Sequence, residues 1–179
     1  MTAVEYPEHI ETDRLLLRPP RLSDALAIFE YASDPEVTRY MDWPTHTSLE
    51  TAIEFINGSL LKLADGTELT WVLTLPSDGR SIGVVSCRMH GHSVDFGYAL
   101  NRHSWGQGYA TEAARSVVEW LSTLAHVHRI WATCDVENTA SARVLEKAGL
   151  TREGVLRCWS IKPNIGPRPR DALVYSKVV

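Results

Sequence analysis

Residues 94–121 constrain this chain more than any other segment. Val94, Phe96, Tyr98 and Leu100 alternate with Asp95, Gly97 and Ala99, the period of a strand. A turn follows, Trp105-Gly106-Gln107-Gly108. Ala110, Ala113, Ala114, Val117, Val118 and Leu121 then recur at i, i+3, i+4, i+7, i+8 and i+11, the apolar stripe of an amphipathic helix. A strand that feeds a helix through a two-glycine turn also creates a chemical feature. The first amides of a helix have no carbonyl one turn back and sit at the positive end of its dipole. Gly106 and Gly108 remove the Cβ atoms that would otherwise crowd them. Such a turn accepts an anion, most naturally phosphate, without help from Lys or Arg. Residues 105–111 contain neither.

The other segments frame that unit. Residues 14–18 (Arg-Leu-Leu-Leu-Arg) form a strand candidate closed by Pro19 and Pro20. Ser23 is placed to cap a helix whose residues Ala25, Ile28, Phe29 and Ala32 fall at helical spacing. Thr47 with Glu50 forms a capping-box pattern for a second helix carrying Ala52, Ile53, Ile56, Leu60 and Leu63. Residues 69–75, 82–89 and 94–100 read as strands. Pro76-Ser77-Asp78-Gly79 and Gly91-His92 separate them, connections short enough for antiparallel hairpins. Beyond the amphipathic helix, 129–136 reads as a strand and 139–148 as a helix ending at Gly149. Residues 150–161 and 171–178 are strands flanking a loop with Pro163, Pro167 and Pro169. The expected class is α/β with an α+β character: a mixed, mostly antiparallel central sheet of about seven strands flanked by about four helices. No linker, charge block or repeat interrupts residues 1–179, which are expected to form one domain.

Composition excludes several function classes. Eighteen Lys and Arg against 22 Asp and Glu leave a net charge of −4. That is a poor balance for nucleic-acid binding, which needs a basic surplus to displace counterions. Three cysteines, an odd number, argue against a disulfide framework. No run approaches the ~18 apolar residues of a membrane span. Residues 1–13 carry Glu5, Glu8 and Glu11 and do not resemble a signal peptide. A cytoplasmic protein with no membrane and no nucleic-acid partner is expected.

The glycine turn leaves three readings open. It can serve the turn alone. It can be a dinucleotide fingerprint, Gly106-x-Gly108-x-x-Thr111, with Asp135 ending the next strand where a ribose would bind. That version lacks the third glycine, and the upstream hairpins are not β-α-β units. A Walker loop is excluded, since no Gly-Lys-Ser/Thr occurs. The third reading is a family. Gly106-Gln107-Gly108-Tyr109-Ala110-Thr111-Glu112-Ala113 resembles the pyrophosphate motif of the GNAT acetyltransferases, Gln/Arg-x-x-Gly-x-Gly/Ala, with Trp105 in place of Gln or Arg. Asn138-Thr139-Ala140-Ser141 and Glu146-Lys147-Ala148-Gly149-Leu150 resemble the family's next conserved segment. Glu11-Thr12-Asp13-Arg14-Leu15-Leu16-Leu17-Arg18 is similar to the branch of ribosomal-protein N-terminal acetyltransferases of the RimJ/RimL type.

The resemblance implies acetyl transfer from acetyl-CoA, as co-substrate and without metal, to a primary amine by direct attack in a ternary complex. The acceptor would be a protein N-terminus or a small molecule, and the enzyme a monomer or homodimer. Trp105, Gly106, Gln107, Gly108, Tyr109, Ala110 and Thr111 would hold the diphosphate. The backbone of Tyr98, Ala99 and Leu100 would contact the pantetheine arm, with Asn138 and Ser141 beside it. The small side chains on the Asp95, Gly97 and Ala99 face leave room for a thin ligand. Many members carry an acidic Tyr seven residues after the Asn, but this chain has Leu145 there. Ser141, on the apolar stripe of its helix, or a water would then protonate the thiolate. A hydroxyl bonded to its own helix is the alternative. Asp95 is the first candidate general base, followed by Glu137, His103 and Asp171. Cys134 could be a nucleophile or a plain buried thiol, with Cys87 and Cys158 weaker. His90-x-His92 and His126-x-His128 lack the further ligands a zinc site needs. Trp43 and Trp159 could line an acceptor pocket built by the first two helices and loop 162–170. The rival functions are a non-catalytic CoA- or nucleotide-binding module and a dinucleotide-dependent oxidoreductase.

Overall fold

Among the described residues, β-strand alternation and the helical stripes place eight strands in one sheet, in the order β1-β2-β3-β4-β5-β6-β8-β7. The computed structural model describes residues 7–77 and 79–179. Residues 1–6 of the acidic start and Asp78 of the Pro76-to-Gly79 turn lie outside the described residues. The strands are β1 (Ile10–Glu11), β2 (Leu16–Arg18), β3 (Glu68–Thr74), β4 (Ser81–His90), β5 (Ser93–Leu100), β6 (Arg129–Asp135), β7 (Thr151–Ile161) and β8 (Pro169–Val178). The helices are α1 (Ala25–Ala32), α2 (Pro35–Thr38), α3 (Leu49–Asp65), α4 (Tyr109–Leu121) and α5 (Thr139–Lys147). Every pairing is antiparallel except β5 with β6, which α4 connects as the expected crossover. Among the described residues, no helix is long and apolar enough to cross a membrane.

Three local expectations are corrected. The strand at 14–18 is shorter and has a second short partner, β1, so the sheet gains a strand. Ser23 lies inside a 3-10 turn, Leu22–Asp24, and caps nothing; the Asp24 carboxylate instead accepts from the Arg21 amide at 2.7 Å. Ser48, not Thr47, precedes α3, and the Thr51 hydroxyl donates to the Ser48 carbonyl at 2.6 Å. Helix α2 was not expected. Pro35 at its first turn and Asp34, accepting from the Glu36 amide at 2.9 Å, start it.

Helices cover both faces of the sheet. On one face α4 and α5 seal a core of Leu17, Trp71, Phe96, Val117, Leu121 and Tyr175. On the other, α1 and α3 cover Val72 and Ala99 with Ile28 and Ile56. Ala113, Ala114, Val117, Val118 and Leu121 are buried, so the stripe of α4 points where its spacing requires. Burying each Val or Leu stabilises by ~1.5–3 kcal/mol, so tertiary packing rather than intrinsic propensity holds this helix.

One break in the sheet positions the site. Strands β5 and β6 pair only through Ser93↔Arg129, Val94↔Ile130 and Asp95↔Trp131. Beyond that point β5 stays with β4 as far as Leu100, and β6 stays with β8 as far as Asp135. A wedge opens between them.

Candidate active site

The wedge is lined by backbone. The His128 amide donates to the His92 carbonyl at 2.8 Å, so the even residues of β5 direct their polar groups toward β6. The Asn101 amide donates to Ile82 of β4 at 2.8 Å, which fixes the same alternation from the other side. The N–H and C=O of Tyr98 therefore face the wedge, past the last β5–β6 pair. The Leu100 carbonyl also faces it and accepts from the Trp105 indole N–H at 2.8 Å. Trp105 thus has a positioning contact with the end of β5, which no sequence pattern announced. On the face of Asp95, Gly97 and Ala99, expected to leave room for a thin ligand, other side chains already stand close. Ala99 packs in the α1–α3 cluster, and the Arg88 guanidinium lies 3.8 Å from where a Gly97 Cβ would stand. The open space lies between strand edges, not across the face.

Where β5 turns into α4, Gly106 and Gly108 have φ of 73° and 86°, the left-handed region that glycine occupies at no steric cost. A Cβ on Gly106 would meet no atom within 4 Å, and one on Gly108 only the tip of Arg14 at 3.4 Å. The amides of Tyr109, Ala110 and Thr111 are the first-turn donors above this open cradle. A residue set from the chain start fixes its shape. Glu112 accepts from the Thr12 hydroxyl at 2.6 Å, from the Arg14 amide at 2.9 Å and from Arg14 Nε at 2.7 Å. Arg14 Nη1 reaches on to the Gln107 carbonyl at 3.0 Å, and its guanidinium lies 4.6 Å above the Tyr109 ring. Burial works against the Glu112 carboxylate, but the bonds from Thr12 and Arg14 outweigh it and hold its pKa below the usual range. The Gln107 side chain turns away, donating to the His103 carbonyl at 3.0 Å.

Ser141 sits across the wedge. Its hydroxyl lies 2.8 Å from the Tyr98 phenol on β5, and the phenol also lies 3.3 Å from the Ser141 carbonyl. Asn138 caps α5 by accepting from the Ser141 amide at 3.1 Å, which holds that hydroxyl at the start of the helix. Burial pushes the Cys134 thiol up to about 11 and pushes the Tyr98 phenol up as well. Burial also raises the Cys87 thiol. Neither buried cysteine is a thiolate at neutral pH, so the nucleophile reading of Cys134 and Cys87 is set aside. Cys158 is exposed on β7.

The base candidates are scattered. Asp95 is buried at the closed end of the wedge, where Arg88 Nε (2.9 Å) and His90 Nε2 (2.6 Å) share its carboxylate. His90 is thus part of an acid–imidazole pair. Glu137 pairs with Arg170 at 2.9 Å, and Asp171 accepts from the Cys158 amide at 2.8 Å. His103 is exposed in the short turn after β5. Among the described residues, no group of three or more His, Cys, Asp or Glu is placed to hold a metal ion.

Residues 14–151 match the family model described as an acetyltransferase (GNAT) domain. The chain belongs to the GNAT acetyltransferase family. An uncharacterized N-acetyltransferase of Bacillus subtilis (strain 168), YnaD, is 35% identical over 150 residues, 83% of this chain and 86% of that protein. The crystal structure of a GNAT-family acetyltransferase from Bacillus anthracis superposes with a TM-score of 0.83 at 28% identity, covering 95% of this chain and 98% of that one. RimL, a ribosomal L7/L12 alpha-N-protein acetyltransferase in complex with coenzyme A, shares the fold with a TM-score of 0.85. It is 21% identical, with coverage of 96% and 98%.

Two features of this GNAT domain stand out against the motifs. Leu145, at the position where many family members carry an acidic Tyr, is a fully buried core residue and reaches no solvent. A phenol is nevertheless present beside the Ser141 hydroxyl, supplied by Tyr98 from the sheet. The Thr12–Arg14–Glu112 contacts also give the opening Glu-Thr-Asp-Arg segment a physical role in holding the glycine turn.

Proposed function

We propose that this protein transfers the acetyl group of acetyl-CoA to a primary amine by direct attack within a ternary complex. The observation that carries the reading is the continuity of two features along residues 98–111. An open edge of backbone donors runs directly into an open cradle of helix-start amides. That suits a thin, extended ligand with an anionic end. A groove of about 460 Å³ beside Gly108 is lined by Arg14, Arg115 and Lys147 together with Glu11, Asp13, Glu112 and Glu119, so the helix-start amides rather than a surplus of cations would hold that end. Acetyl-CoA supplies the activated acetyl thioester. Tyr98 N–H donates to the thioester carbonyl oxygen, where negative charge develops during attack. The Ser141 hydroxyl, 2.8 Å from the Tyr98 phenol, passes its proton to the departing thiolate while taking one from the phenol or from solvent, so no serine alkoxide is left. Asp95, paired with His90, takes up the amine proton. The RimL-like fold favours a protein N-terminus as acceptor. An α-amine with a pKa near ~8 is partly neutral at pH 7 and needs little help from a base, unlike a lysine near ~10.4.

The test is acetyl-CoA-dependent thiol release with free amino acids, polyamines and short peptides of defined N-terminus. Turnover with at least one amine is expected. Acetyl-CoA binding without turnover of any amine would favour the non-catalytic module. Thermal stabilisation by NAD(P) but not acetyl-CoA would favour the oxidoreductase. The clasp makes a narrower prediction. Arg14→Ala should raise the KM for acetyl-CoA about five-fold, the effect of ~1 kcal/mol, and leave kcat largely unchanged. Initial-rate kinetics check this, and an unaltered KM would show that the cradle keeps its shape without Arg14.

A further inference from the structure

The wedge is closed at Asp95 and Trp131, and its two walls diverge toward the ends of β5 and β6. Each wall carries its own attachment at the open end. On the β5 side, Asn101 donates to Glu30 at 3.2 Å and Arg102 pairs with Asp34 at 2.9 Å. These contacts anchor the end of α1 and the start of α2 beside the end of β5. On the β6 side, Arg170 binds the buried Asp135 carboxylate through Nε at 2.6 Å and Nη2 at 3.0 Å. That pair anchors the start of β8 beside the end of β6. The segment after α2 and the tip of the β7–β8 hairpin, one attached to each wall, are then joined to each other.

Asn164 makes the meeting. Its Oδ1 accepts from the Thr45 amide at 2.9 Å and from the Thr45 hydroxyl at 3.0 Å. Its Nδ2 donates to the Thr38 carbonyl at 2.7 Å and the Trp43 carbonyl at 2.9 Å. An asparagine amide offers two donors and two acceptor sites, and all four are used. Thr45 is locked in turn, its hydroxyl 2.6 Å from that of Thr38. One side chain thus ties together segments 119 to 126 residues apart in sequence that belong to opposite walls of the wedge.

We infer that Asn164 is a positioning residue that straps the wedge shut on the α1 side and thereby sets the affinity for the amine acceptor. This rests on the transferase reading. The phosphate cradle lies at the start of α4, whose stripe packs on the opposite face of the sheet. The strap lies on the side of α1 and α2, so the two substrates meet different structures. Loosening the strap should change one affinity and spare the other.

Asn164→Ala and Asn164→Asp, compared with wild type, provide the test. Asp keeps the acceptor atoms but loses the two donations and sets a charge against the Thr38 and Trp43 carbonyls, so it should not rescue. Hydrogen–deuterium exchange should show the Thr45 amide exchanging at least about ten-fold faster in both variants. Steady-state kinetics, with acetyl-CoA and an alanine-terminated tetrapeptide or spermidine as probe, should show the KM for the amine raised about ten-fold. The KM for acetyl-CoA should stay within about two-fold. Unchanged exchange at Thr45 would overturn the strap. Faster exchange with an unchanged amine KM, or an equal rise in both KM values, would overturn its role in acceptor binding. A wild-type enzyme that binds acetyl-CoA yet acetylates no amine would overturn the transferase reading itself, a failure distinct from these.

Discussion

Gly108→Trp is expected to weaken acetyl-CoA binding at least about 100-fold, or ~2.7 kcal/mol, while the chain stays folded. Two effects would act at that position, and a second variant separates them. The backbone at Gly108 has φ of 86°, so any L residue there carries a conformational cost of ~1–2 kcal/mol. The second effect is occupancy. The only atom near a built Cβ is the Arg14 tip at 3.4 Å, so an indole would fill the open cradle rather than collide with backbone. Gly108→Ala isolates the first effect, because Ala carries the Cβ penalty of the left-handed region and is too small to fill the cradle. Ala should cost some thermal stability and little affinity; Trp should cost similar stability and nearly all affinity. Calorimetric titration with acetyl-CoA and thermal melts of both variants provide the check. Wild-type affinity in the Trp variant would remove the cradle from the binding site.

That variant could be designed from the sequence because the segment around it is locally determined. The stripe of α4 runs from Ala113 to Leu121 as its spacing requires, and both turn glycines take positive φ. What was not legible depends on partners distant in sequence. Thr12 and Arg14 meet Glu112 about a hundred positions away, and nothing in the local pattern of either segment announces the other. Asn164 sits in a proline-rich loop whose composition says only that it is a loop. The wedge leaves no local pattern either, and only the family resemblance puts a ligand along the backbone of Tyr98, Ala99 and Leu100. Side-chain alternation reports which face a residue occupies, so it drew attention to the small face of Asp95, Gly97 and Ala99. The gap is a failure of pairing between strand edges, and edge pairing leaves no period in the sequence. Ser23 and Thr47 erred on a smaller scale, since both neighbourhoods offer several capping residues and hydrogen-bond geometry chooses among them.

The acid that Leu145 cannot supply leads to the second large effect. Ser141→Ala should lower kcat about 100-fold, the usual scale for a positioned proton donor, and leave the Kd for acetyl-CoA almost unchanged. The serine backbone, which Asn138 holds at 3.1 Å, is retained in the variant, so α5 keeps its cap. Tyr98→Phe should cost less, about ten-fold, because it removes the group that orients Ser141 and leaves the serine proton in place. The pair 2.8 Å apart should therefore be strongly non-additive. In a Ser141→Ala background, Tyr98→Phe should have almost no further effect. Neither the phenol nor the Cys134 thiol, raised to about 11, titrates near neutral pH. The rise of rate with pH should then follow the amine, levelling near ~8 for an α-amino acceptor, and Tyr98→Phe should not shift it. If the two substitutions multiplied instead, Tyr98 would act independently of Ser141 and the orienting role would fail. If Ser141→Ala kept the wild-type rate, the departing thiolate would take its proton from solvent, and the Ser141–Tyr98 bond would be only a structural tie between α5 and β5.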